Sequence, residues 1–237
     1  MKNIKINALA SITVNILNII FPLITNPYLT RILSKDNYGH FNNANTWASF
    51  VVPIAAFGIY NYGIRSISKV KDSKEKINYV FSKLFYLSIF TSLSVTTVYF
   101  LIIGLGSDIH TLKILYYILG FQALIQFLNI EWMNEAYENY TFILYKTLFI
   151  RILMLVSIFT FVKNEDDIIP YALIMTTVTF INYLISFVWI KKEVSFVKIP
   201  IREIIDSSRS MFVMLLLANA NMLYTLLDRL FITKSPN

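Results

Sequence analysis

Apolar residues in this chain gather in blocks as long as a membrane span, not in the alternating or one-sided patterns of a soluble core. Stretches free of Asp, Glu, Lys and Arg cover 6–30, 37–64, 84–107, 114–130, 168–190 and 210–227. Hydrocarbon is about 30 Å thick and a helix rises about 1.5 Å per residue, so roughly 20 apolar residues cross it. Those six blocks predict six spans. A seventh, at about 142–162, is apolar except for Lys146 and Arg151. The pattern predicts an all-α, polytopic membrane helix bundle with about seven transmembrane helices.

Polar residues inside the blocks are not scattered. Asn7, Ser11, Asn15, Asn18, Pro22 and Thr25 recur every three or four residues, so they share one face of the first span. Asn42, Thr46, Ser49 and Pro53 make a weaker row in the second, and Asn221, Thr225 and Asp228 another in the seventh. Such faces either line a water-filled cavity or supply small, hydrogen-bonding helix contacts. Pro22 and Pro27 interrupt the backbone ladder of the first span, as a hinge or cavity wall requires and as many static membrane helices also tolerate.

Composition agrees with a lipid solvent. Of 237 residues, 56% are hydrophobic and 15% charged, leaving too little polar surface for a soluble domain. There is no cysteine, which excludes disulfides and thiolate metal sites, and the two histidines, His40 and His110, make a metal centre unexpected. No cofactor is implied. The uncharged run 6–30 is long for a signal peptide's apolar region and no small-residue cleavage pattern follows, so it reads as a retained span.

Charge placement sets the expected topology. The basic residues alternate from one inter-span segment to the next, 15 on one side of the membrane against 6 on the other, with six of them between Arg65 and Lys83. The positive-inside rule then puts the N-terminus in the cytoplasm and the C-terminus outside. A net charge of +7 distributed this way faces anionic lipid headgroups and not nucleic acid. Residues 199–212 put Ile201, Ile204, Ile205 and Phe212 near one helical face. They read either as an interfacial helix or as a turn that begins the seventh span.

Charges within spans are the candidate chemistry, because an uncompensated one near the midplane costs about 2.5–3.5 kcal/mol on insertion scales. Arg151 lies about halfway along its span. It reads as a cavity-facing cation for an anionic headgroup, or as a side chain reaching back to the cytoplasmic interface if the span begins near Lys146. Asp228 and Arg229 read as a gate ion pair or as plain interfacial charges. Glu131, Glu135 and Glu138, and separately Glu165, Asp166 and Asp167, read as solvated loop residues on opposite sides.

Four stretches carry a family resemblance: FPLITNPYLTRILSKDNYGHFNNANT (21–46), FGIYNYGIRSISKVKDSKEKINYVFS (57–82), NIEWMNEAYENYTFILYKTLFIR (129–151) and LYTLLDRLFIT (223–233). Together they resemble the polysaccharide repeat-unit flippases (Wzx type) of the multidrug/oligosaccharidyl-lipid/polysaccharide exporter superfamily. The resemblance implies a carrier, not an enzyme, in the bacterial plasma membrane. It would move an undecaprenyl-diphosphate-linked oligosaccharide between leaflets for O-antigen, capsule or exopolysaccharide assembly, by alternating access between two six-helix lobes. Its partners would be the lipid-linked oligosaccharide and membrane lipids. Carried over by position, Arg31, Arg65, Arg151, Asp228 and Arg229 become candidate cavity residues, joined by Asn15, Asn18 and Asn221 from the polar rows; Arg65 also reads as a topology anchor. On this pattern residues 1–190 form a six-helix lobe, 191–209 a cytoplasmic interfacial connector, and 210–237 the first helix of an incomplete second lobe. A split or truncated form, with a second chain supplying the missing helices, is the expectation. The alternative is a membrane-embedded enzyme of the same pathway, a polymerase or glycosyltransferase. A seven-helix receptor would place the N-terminus outside, against the charge asymmetry.

Overall fold

A computed structural model describes residues 4–106 and 109–218. Among them are nine α-helices: α1 (Ile4–Ile32), α2 (Lys35–Ala56), α3 (Ile59–Ser68), α4 (Lys74–Gly106), α5 (His110–Leu124), α6 (Glu131–Ala136), α7 (Tyr140–Phe161), α8 (Ile168–Ile190) and α9 (Ile201–Ala218). A single 3₁₀ turn, Ile125–Leu128, joins α5 towards α6. Among the described residues, six segments are long and apolar enough to cross a membrane. Their outer faces carry exposed Leu9, Leu23, Phe90, Leu101, Phe149 and Val188, surface that only hydrocarbon tolerates in such quantity.

Three helix boundaries differ from those that charge-free length predicts. The second span is broken: Phe57 (φ 49°) and Gly58 (φ 69°) are left-handed, so α2 stops and α3 starts at a new angle. Pro53 weakens the ladder one turn earlier by removing an N–H donor. Helix α4 begins at Lys74, ten residues before the uncharged run, because lysines at a helix end reach water while the backbone stays helical. The expected 65–83 loop thus shrinks to a short turn. The fourth span likewise continues beyond its charge-free limit, through the 3₁₀ turn into α6, so Glu131 sits at a helix start and not in a loop. The expected interfacial segment is the beginning of α9, which runs unbroken to Ala218. Asn221, Asp228 and Arg229 lie outside the described residues.

Two apolar clusters hold the bundle. One joins α1, α2, α4, α5, α7 and α8 around Leu29, Phe41, Leu115, Leu119, Ile158 and Ala172. The other, at the opposite end, joins α3, α4, α6, α8 and α9 around Ile67, Phe81, Leu84, Trp132, Ile190 and Met211. Trp132 lies flat on Gly63, where a Cβ would come 2.5 Å from the indole, so only glycine lets α3 and α6 approach this closely.

Loop contacts sort the connections into two ends, in the alternation expected from sequence. At one end Ser34 N–H donates to Glu165 O at 3.2 Å, and Asn37 Nδ2 donates to Glu165 O and Asp166 Oδ1 at 3.0 and 3.1 Å. Asp167 Oδ2 there accepts from the backbone N–H groups of Lys163 and Asn164, both at 2.8 Å. These bonds hold its carboxyl below the usual Asp range. At the other end Lys71 pairs with Glu138 at 3.0 Å, while Ser195 and Val197 N–H donate to Asn78 Oδ1 and Ser82 Oγ, both at 2.9 Å.

Candidate functional site

Helix α7 is the spine of the site. Ile143, Lys146, Thr147, Ile150, Arg151 and Met154 recur at three- and four-residue steps, and all line one cavity of about 520 Å³. Helix α8 adds Val178, Thr179, Asn182 and Tyr183 with the same period; α1 adds Val14, Asn15 and Asn18. Tyr60 from α3 and Glu131 and Glu135 from α6 complete the polar wall. The break at Phe57–Gly58 matters here, since it swings the start of α3, and with it Tyr60, towards α6.

Two cations enter this cavity from neighbouring turns of α7, and their surroundings differ. Lys146 Nζ donates to Glu131 Oε2 at 2.7 Å and to Ser186 Oγ at 2.8 Å. Ser186 Oγ in turn donates to Glu131 Oε2 at 2.5 Å, and Asn134 Nδ2 approaches the same oxygen at 3.3 Å. Lys146 is therefore a buried, fully partnered charge that ties α6, α7 and α8 together.

Arg151 has no such counter-charge. Its Nη2 donates to Asn18 Oδ1 at 2.6 Å, its guanidinium lies 4.7 Å from the centre of the Phe21 ring, and its Nε is buried without a partner. No carboxylate among the described residues pairs with it. Five residues beyond Lys146, it sits about 7.5 Å deeper along α7 and near the middle of that helix. A guanidinium held this way, with donors to spare, suits a bidentate anion.

Glu135 is the second charge without an opposite partner. Its Oε1 accepts from Tyr60 OH at 2.5 Å, and no basic side chain among the described residues reaches it. The structure thus overturns the reading of Glu131 and Glu135 as solvated loop residues: both are half-buried on one face of α6, line the cavity and have partners on α3, α7 and α8. Sequence reasoning also read Lys146 only as a span boundary. The signal it passed over was the four-residue spacing of Glu131 and Glu135, which puts both on one face, followed by a lysine inside an apolar run that needs a counter-ion.

Of the residues proposed from sequence, Asn15, Asn18 and Arg151 come together in the cavity. Arg31, at the end of α1, and Arg65, on α3, are exposed and do not line it. The polar row of α2 turns inward on its own backbone, with Thr46 donating to Asn42 O and Ser49 to Thr46 O, each at 2.7 Å. Among the described residues, no group of three metal-ligating side chains occurs.

A helical bundle with several spans and a charged cavity at membrane depth defines a polytopic membrane protein with an internal polar site. The chain belongs to the polysaccharide biosynthesis protein family, whose family model matches residues 4–235. It is also similar to a protein of Escherichia coli (strain K12) named "Putative O-antigen transporter", with 33% identity over 64 residues. That stretch is 27% of this chain and 15% of the relative's length. No solved structure matches.

Proposed function

We propose that this chain takes part in moving a lipid-linked oligosaccharide, an undecaprenyl-diphosphate repeat unit, across the plasma membrane for cell-surface polysaccharide assembly. The observation that carries this reading is Arg151, a cation near the middle of its helix facing a polar cavity with no carboxylate of the described residues paired to it. A diphosphate supplies the missing charge and accepts from the terminal guanidinium N–H groups. Family membership and the name of the Escherichia coli relative support transport over catalysis. The paired Glu131–Lys146 group serves structure, joining α6, α7 and α8.

In this reading the end carrying Lys69, Lys71, Lys74, Lys191 and Lys192 is cytoplasmic. Asn15 and Asn18 line the cavity and are exposed, and a second helical lobe, from further residues or another chain, would cover them. Residues 1–190 would be the first lobe and 191–209 the connector. Asn221, Asp228 and Arg229 would belong to the facing wall. Arg31 and Arg65 act as anchors at the two membrane surfaces.

The test is a substitution at the native locus. Arg151→Ala should lower surface polysaccharide about tenfold or more at equal protein level, with lipid-linked repeat units accumulating inside, and Arg151→Lys should be milder. Unchanged export in the Arg151→Ala strain would remove the reading. Single-cysteine labelling in this cysteine-free chain checks the orientation: residue 167 should label from outside and residue 71 from the cytoplasm.

A further inference from the structure

The formal charges in the cavity sum to zero, yet they are not evenly neutralised. Glu131 and Lys146 cancel each other at 2.7 Å. Arg151 on α7 and Glu135 on α6 are left as a cation and an anion, not paired with each other, in the lining of the same cavity. Glu135 takes its hydrogen bond from a neutral hydroxyl, Tyr60, which satisfies a lone pair without cancelling the charge. Its Oε2 accepts no hydrogen bond from the described residues. The same cavity is also lined by Asn129, Thr179, Asn182 and Tyr183, which offer side-chain donors and acceptors of the kind that sugar hydroxyls match.

Taking the flippase reading as its basis, we propose that Glu135 makes the cavity select an oligosaccharide whose sugar nearest the diphosphate is neutral or carries a free amine, and disfavour one bearing a carboxylate there. With the diphosphate on Arg151, that first sugar must lie along the remaining polar wall, where Glu135 is the unneutralised charge. A sugar ammonium gains an ion pair with it. Hydroxyls and acetamido groups bond to the asparagines and tyrosine. A sugar carboxylate meets a like charge in a membrane cavity, where screening by water and salt is weak. Discrimination of this kind comes from a repulsive element built into the site, and needs no loss of affinity for the accepted sugars.

The probes are three synthetic prenyl-diphosphate monosaccharides, carrying N-acetylglucosamine, glucosamine or glucuronic acid, titrated onto the whole chain in lipid nanodiscs. The glucuronic acid probe should bind at least about tenfold more weakly than the N-acetylglucosamine probe, and glucosamine at least as tightly. Glu135→Gln should shrink the acidic-to-neutral gap to about threefold or less. The wild-type ranking requires no variant, so it decides even if Glu135→Gln expresses poorly. Equal binding of all three probes by the wild type, or a gap that Glu135→Gln leaves intact, overturns the assignment to Glu135 while the flippase reading stands. Failure of every probe to bind, or binding indifferent to Arg151→Ala, removes the flippase reading itself.

Discussion

Two neighbouring regions of one cavity handle positive charge in opposite ways. Around Lys146, α6 supplies a carboxylate and α8 a hydroxyl within hydrogen-bonding distance, an α6 amide bonds that carboxylate in turn, and the charge is buried and neutralised. Around Arg151, one and a half turns along the same helix, an amide oxygen and an aromatic face receive the cation and no carboxylate among the described residues cancels it. Burial of a charge is affordable in the first case because the pair is complete; in the second the protein carries an unmet electrostatic demand. The difference separates a charge that holds the bundle together from one available to a ligand.

The comparison breaks most visibly at the structural pair. Lys146→Met strands Glu131 among α6, α7 and α8, and should cost about 3–5 kcal/mol of stability, read as a lower thermal midpoint or lost expression in detergent. Removing both charges, with Glu131→Leu added, should recover most of that loss. Arg151→Ala should behave differently. Because it deletes an uncompensated charge and one hydrogen bond, its effect on stability should stay within about 1 kcal/mol, even as function falls. A thermal scan of both variants beside wild type separates the two regions directly.

The smallest effect belongs to the opposite membrane surface, at the Asp167 turn. Its carboxyl is held below the ordinary value of 3.8 by bonds from the Lys163 and Asn164 N–H groups. A depressed carboxyl contributes stability that is present above the ordinary value and is lost as pH falls through the lowered one. The thermal midpoint of wild type should therefore exceed that of Asp167→Asn slightly at neutral pH, and the two should converge only on strong acidification. Convergence well above the ordinary carboxyl range would contradict this assignment.

Much of the fold was legible in the sequence because hydrocarbon imposes a length rule that apolar runs must obey: α7 and α8 fall within two residues of their expected limits. Where the rule misled, at α2–α3 and at the start of α4, the cause was local. Left-handed Phe57 and Gly58 end a helix without any charge to announce it, and Lys74, Lys76 and Lys83 lengthen one despite their charge. Arg151, Asn15 and Asn18 were legible as candidates by depth and period. Their meeting was not, since it depends on α1 packing against α7. Glu131, Glu135 and Tyr60 escaped because what brings them to the cavity is the path of α3 and α6, which a sequence period of six or ten residues does not define.

The central claim is that Arg151 is the anion-binding charge of the cavity. It is tested most directly by the affinity of the whole chain in nanodiscs for undecaprenyl diphosphate. Wild type should bind it, and Arg151→Ala should weaken binding about tenfold or more, with Lys146→Met compared only where it still folds. Equal affinity of wild type and a folded Arg151→Ala variant would contradict the account.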